Sequence, residues 1–292
     1  MRIATRGSAL ALTQARMVAD LLGGAELVEV SSDGEPGDKS RFVRGVERAL
    51  LAGEAEIGVH SAKDLPSEMP EGLEIAAVPV REEPADVWIG VGGSLDEVPE
   101  GARVGTASLR RRAQLLAARP DLRVEDLHGN VDTRLRKLEE GELDAIVLAA
   151  AGLRRLGRAD EISFALPVEQ IVPAAGQGAL ALQVRIGDAA SDYAVTAVND
   201  LTAMRELIAE RTVVALLDAS CTTPLGVHAR IEGEALTVDA FVGLPDGSEW
   251  LRDRLEGRAE EPSLAGAELV QRLLATGARE LLDRAETFGG AS

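Results

Sequence analysis

The alternation of apolar and polar positions is informative from the second residue. Residues 2–6 read as a short strand, and Ser8 stands as an N-cap ahead of Ala11, Ala15, Val18 and Leu22 on one helical face. A strand near 26–30 follows, then a polar loop from Ser31 to Ser40, a helix over 41–52 and a buried strand ending at His60. The arrangement returns further along the chain. Val104-Gly105-Thr106-Ala107-Ser108 ends a strand much as Thr5-Arg6-Gly7-Ser8 does, and Leu109, Ala113 and Leu116 open a second helix. Asn130 is a further cap, with Val131, Leu135 and Leu138 on one face, and residues 141–148 echo 53–60. Strands alternating with helices predict two α/β lobes of related design with mostly parallel sheets. The same likeness would also arise between any two α/β units. Pro79–Pro84 reads as a crossover between lobes and Val172–Gly178 as the return. The last third differs: a helix near 200–217, a loop around Cys221, strands near 226–232, 235–243 and 248–256, and one closing helix over 264–286. The expected units are therefore 1–80 with 177–198, then 81–176, then a small α+β unit, 199–292.

Composition narrows the function classes. The 292 residues include 49 acidic and 31 basic side chains, for a net charge of −18, and only Lys39, Lys63 and Lys137 are lysines. Such a chain as a whole repels nucleic acid and anionic membrane, and aromatics at 2% leave few stacking platforms. The longest apolar run, about Ala145 to Leu153, is far short of the roughly 20 residues of a membrane helix. The N-terminus enters a strand without an apolar signal segment, and one cysteine, Cys221, makes no intrachain disulfide; a cytoplasmic protein is expected. His60, His128 and His228 are isolated, so no metal site is expected.

Against this acidic background, Arg103 to Lys137 carries nine cations and four acids. Arg110 and Arg111 fall in the first turn of a helix, where the dipole disfavours cations by about 0.3–1 kcal/mol each. Placing charge there makes sense if an anion docks. Arg134 follows the Asn130 cap and Arg6 precedes Ser8, repeating the association. The competing reading is a solvated arginine face paired with the abundant acids. Asp64, in His60-Ser61-Ala62-Lys63-Asp64-Leu65-Pro66, lies past a strand end, where open α/β sheets place ligands. A carboxylate there can stabilise a developing cation or move a proton, or it can merely shape the turn before Pro66. Cys221 is either an inert thiol or a covalent attachment point. Gly176-Gln177-Gly178 is a hinge candidate, and no GxxxxGK[ST] loop is present.

Six stretches together resemble one family: residues 2–8, Val59–Pro66, Val104–Arg111, Gly129–Arg134, Pro173–Gly178 and Cys221–Gly226. In this order and spacing the chain resembles the porphobilinogen deaminase (hydroxymethylbilane synthase) family along nearly its whole length. The resemblance implies two lobes similar to periplasmic-type binding proteins and a small third domain, in a monomer. It implies a transferase of tetrapyrrole and haem biosynthesis that condenses four porphobilinogens, each losing ammonia, and releases linear hydroxymethylbilane by hydrolysis. A dipyrromethane cofactor would be held by a thioether, for which Cys221 matches the anchor. Asp64 matches the catalytic aspartate. Cofactor contacts match Ser61, Lys63, Thr106, Ser108, Arg110, Arg111, Arg134 and Gln177; substrate contacts match Arg6, Ser8, Lys39, Phe42 and Arg155. No metal, nucleic acid or membrane partner is implied. The chain departs from the pattern at His128, where the family usually has arginine, at Ala219-Ser220 before the cysteine, and across Gly37–Phe42. The alternative function is an anionic-solute binder or an inactive paralogue of the same fold; an intact-mass measurement separates them.

Overall fold

The computed structural model describes residues 1–31, 41–219 and 223–289. The first lobe opens with β1 (Arg2–Arg6), α1 (Ala9–Leu21), β2 (Glu26–Val30), α2 (Arg41–Leu51), β3 (Ile57–Ser61) and β4 (Leu73–Ala77). Ser8 caps α1 by accepting the Ala11 N–H, and Ala11, Ala15, Val18 and Leu22 turn inward as the spacing predicts. Ile3, Ile57 and Leu182 are fully buried in this core, each contributing about 1.5–3 kcal/mol.

The second lobe comprises β5 (Asp86–Gly90), β6 (Arg103–Gly105), α3 (Leu109–Ala118), β7 (Arg123–Glu125), α4 (Val131–Glu139), β8 (Ala145–Ala149), α5 (Ala150–Arg155) and β9 (Phe164–Leu166). The chain then returns to the first lobe as β10 (Leu180–Arg185) and α6 (Ala189–Val198). The described strands form two five-stranded sheets, ordered β2-β1-β3-β10-β4 and β7-β6-β8-β5-β9. Position for position these share one topology. In each, two pairings are parallel and two antiparallel. The expectation of mostly parallel sheets is thus corrected: β10 and β5, the strands next to the interlobe connections, run against their neighbours.

The third unit is α7 (Leu201–Leu216), then β11 (Leu225–Glu232), β12 (Ala235–Gly243) and β13 (Trp250–Arg258) as an antiparallel meander, then α8 (Pro262–Ala275) and α9 (Ala278–Gly289). The single closing helix expected over 264–286 is two helices. Gly277, at φ +97°, breaks it in a conformation that other residues rarely adopt. Helix α6 was not expected either. Ala113 of α3, Val172 of the return and Phe241 of β12 make a small apolar cluster joining the second lobe to the third unit.

Candidate functional site

Strand β3 ends at Ser61 and the chain makes one tight turn, Ala62–Asp64, before Leu65 and Pro66. Ala62 and Leu65 are buried, while Lys63 and Asp64 are only half-buried. The Leu65 N–H donates to the Ala62 carbonyl at 3.2 Å, so the backbone closes the turn and the Asp64 carboxylate is not needed for it. That argues against a merely turn-shaping Asp64. Its side chain is 38% exposed, with Arg6 Nη2 at 3.9 Å. Because β1 and β3 are parallel neighbours, Arg6 and Asp64 lie at the same end of the sheet. Arg6, Gln14, His60, Ser61 and Asp64 border one recess, in which Ser61 Oγ is bonded to the Gln14 amide at 2.9 Å. His60 Nε2 meets Gln183 Oε1 at 2.9 Å, and burial lowers its pKa to about 4, so the ring is neutral at physiological pH.

From Lys63 a polar chain crosses to the second lobe. Lys63 Nζ donates to Gln177 Oε1 at 3.3 Å, and Gln177 Nε2 donates to Asp86 Oδ1 at 2.9 Å. Asp86, at the start of β5, is fully buried between Arg110 and Arg111. Arg110 Nη1 reaches Asp86 Oδ2 at 2.7 Å; Arg111 Nη2 and Nε reach Oδ1 at 2.8 and 3.0 Å. Arg110 also donates to the Val172 carbonyl and Arg111 to that of Val147. Burial pushes the Asp86 carboxyl up, but the two guanidiniums outweigh it and hold it well below the usual range.

These bonds correct one expectation. Arg110 and Arg111 lie with Ala113, Gln114 and Leu115 on the buried face of α3, and the arginine pair is neutralised in part within the protein: two cations and one carboxylate leave a single positive charge there. Nor is the 103–137 window one patch. Arg103 pairs with Asp144, Arg112 with Asp126, Arg119 with Asp121 and Arg136 with Glu140.

Arg134 and Arg155 are different, having no carboxylate within ion-pair distance among the described residues. Arg134 Nε donates to the Gly129 carbonyl at 2.9 Å; burial, then the nearby Arg111 charge, lowers its pKa to about 10. Arg155 Nη2 donates to the Gly178 carbonyl at 2.6 Å, while its Nε is buried with no partner among the described residues. Burial brings Lys63 down to about 8, with Arg111 contributing in the same direction and Asp64 and Asp86 opposing. Lys63, Arg111 and Arg134, from both lobes, therefore share one electrostatic neighbourhood. Thr106 is buried, and its Oγ1 accepts the Ser108 N–H; Ser108 caps α3 through the Arg111 N–H. Lys39 and Cys221 fall outside the described residues, as does the side chain of Phe42. His128 is exposed beside Gly129.

Besides Asp86, a second set of site-bordering residues escaped the sequence reading. Glu210 of α7 is fully buried and accepts from Arg81 Nη1 and Nη2 (2.8 and 3.1 Å), the Gly176 N–H (2.5 Å) and the Ala229 N–H (2.8 Å). One carboxylate of the third unit thus holds both interlobe connections. The signal was present as two acids, Glu206 and Glu210, one turn apart on the inner face of an apolar helix. Gly176 and Gly178 have φ of +72° and +86°. A Cβ at Gly176 would lie 2.9 Å from the Lys63 nitrogen, and one at Gly178 only 2.2 Å from the Glu82 carbonyl oxygen. Close packing is therefore what these two glycines provide, and it holds Gln177 between the lobes.

Two family models match the chain. Residues 1–192 match the family described as "Porphobilinogen deaminase, dipyromethane cofactor binding domain", and residues 204–275 match "Porphobilinogen deaminase, C-terminal domain". This chain belongs to the porphobilinogen deaminase family. The porphobilinogen deaminase of Syntrophus aciditrophicus is 43% identical over 302 residues, covering 98% of this chain and 99% of the relative. That of Thiobacillus denitrificans is 44% identical over 300 residues, covering 97% and 98%. Among solved structures, the L-cystine solute receptor of Neisseria gonorrhoeae aligns over 72% of this chain and 89% of its own, with 17% identity and a TM-score of 0.40. No helix among the described residues is long and apolar enough to cross a membrane.

Proposed function

We propose that this chain is a hydroxymethylbilane synthase, a transferase that adds four porphobilinogens in turn to a dipyrromethane primer on Cys221 and releases the linear product by hydrolysis. The observation that carries the reading is one half-exposed carboxylate, Asp64, beside Lys63 and Arg6, together with two cations of the second lobe, Arg134 and Arg155, that have no carboxylate within ion-pair distance among the described residues. A buried guanidinium nitrogen with no acceptor, as at Arg155, is costly unless a ligand supplies one. Each pyrrole of substrate and primer bears an acetate and a propionate, so these donors fit the group they would hold. Lys63, Arg134, Thr106 and Ser108 would hold primer carboxylates, and Arg6 and Arg155 those of the incoming unit. Arg110 and Arg111, locked on Asp86, supply a fixed positive field. When bound, the primer supplies the carbon nucleophile to which each unit is joined.

Asp64 does the chemistry contributed by the chain itself. Loss of ammonia leaves a cation on the substrate's methylene and ring nitrogen, and a carboxylate fixed beside it lowers that barrier. The same oxygens accept a pyrrole N–H, aligning the ring before ammonia departs. Arg6, at 3.9 Å, faces Asp64 without a tight hydrogen bond that would have to break. We assign the units as 1–80 with 177–198, 81–176 and 199–292, supported by strand membership of the three sheets, and we propose a cytoplasmic monomer. Purified protein incubated with porphobilinogen should form a linear tetrapyrrole. Asp64→Asn should nearly abolish that turnover while the protein remains folded. Wild-type protein that keeps a primer on Cys221 and releases no tetrapyrrole would refute the reading.

A further inference from the structure

The side chain of Asp64 is held loosely, so its position is set by the backbone on either side of it. On the N-terminal side this is accounted for: the Ala62 N–H donates to the Ala179 carbonyl at 3.0 Å, and Gly176 packs on Ala62 and Lys63. On the C-terminal side the contact comes from α7. Ala203 and Leu207 of that helix share an apolar cluster with Ala62 and Leu65. One turn further along the same face, Arg211 Nη2 donates to the carbonyls of Pro66 and Ser67 at 2.9 and 3.0 Å. Arg211 has no carboxylate within ion-pair distance among the described residues, and burial lowers its pKa. A half-buried guanidinium that holds two neutral carbonyls and no carboxylate among the described residues is poorly compensated as a stabilising device. It is well suited to fixing a segment in place.

We propose that Arg211 is a positioning residue for Asp64, tying the segment after it to α7. This rests on the reading that Asp64 carries the chemistry. Helix α7 ends at Leu216, shortly before Cys221 in the chain, so the element that braces the segment after Asp64 also precedes the proposed anchor of the growing chain.

The test uses the intact holoprotein and two variants, Arg211→Gln and Arg211→Lys. The glutamine variant should lower kcat roughly ten- to hundredfold, since small misplacements of a reacting group cost that much. KM should stay within about twofold, because no substrate contact is removed. The lysine variant should recover most of the loss, because an ammonium can donate to both carbonyls. Intact mass should show the primer still attached, and amide exchange should accelerate over 62–70 while the rest of the chain is unchanged. Wild-type kcat in Arg211→Gln overturns the proposal. So does a loss that lysine fails to restore, or one accompanied by faster exchange throughout, which marks a general structural role. If wild-type protein makes no tetrapyrrole, the functional reading fails separately. Exchange over 62–70 then decides the tether by itself: acceleration in Arg211→Gln upholds it and no change overturns it.

Discussion

Asp86→Asn removes one negative charge from a buried ion cluster and changes almost nothing in volume. Asp86 is fully buried and accepts three guanidinium bonds of 2.7–3.0 Å plus the Gln177 amide. Without it, Arg110 and Arg111 are two desolvated cations facing one another. Breaking a buried pair by removing one partner costs about 3–5 kcal/mol. For a chain of this size each kcal/mol lowers Tm by roughly 2–4 °C, so a fall of about 6–20 °C is expected. Asparagine keeps one acceptor oxygen, which places the result toward the lower end. The pH dependence is a second, sharper check. The folded carboxyl titrates below the unfolded value of about 3.9. Its contribution is therefore complete above about pH 5 and is lost as pH falls from there toward the folded pKa. Urea unfolding of wild type and variant at pH 7 and at stepwise lower pH should show a gap that narrows only in acid. Equal stability at pH 7, or a gap independent of pH, would refute the assignment of Asp86 as the charge that holds the arginine pair.

Three further outcomes are expected. Cys221→Ala should carry no pyrrole by intact mass yet keep a native circular dichroism spectrum; bound pyrrole in that variant would place the anchor elsewhere. Lys63 loses its proton as pH rises through about 8, so primer assembly by the apoprotein should decline across that range. Lys63→Arg should move the decline upward, and an unmoved profile would take Lys63 out of carboxylate binding. Gly178→Ala sets a Cβ 2.2 Å from the Glu82 oxygen at φ +86°. It should destabilise by at least about 1–3 kcal/mol, which a melting curve reads directly; an unchanged Tm would mean that the loop yields easily.

Local patterns made most elements legible. The Ser8 and Asn130 caps, the α1 stripe and the meander strands all follow from spacing and turn residues. What failed was long-range. Asp86 sits before Val87-Trp88-Ile89 in a strand, and nothing local says that it will meet two arginines 24 and 25 residues on. For the same reason the burial of Arg110 and Arg111 on α3 is not legible locally: charged side chains lie inside only because a partner from β5 neutralises them. Strand direction in the centre of each sheet was likewise invisible, because it depends on where the chain re-enters rather than on the residues of β5 or β10. Helix α6 lacks a clear apolar stripe, and the apolar spacing runs on across Thr276-Gly277, so that only the glycine itself marks the break.

The placement of β10 between β3 and β4 has a consequence for biosynthesis. As the ribosome emits the chain, the amino-terminal layer is missing an inner plank until residues 180–185 emerge, by which time the whole of the middle lobe has been made. The first part of the protein to be translated is thus the first that cannot finish folding. A nascent chain stalled before that strand should expose the open edges of β3 and β4 to protease or chaperone, while β5 to β9 can already close their own sheet.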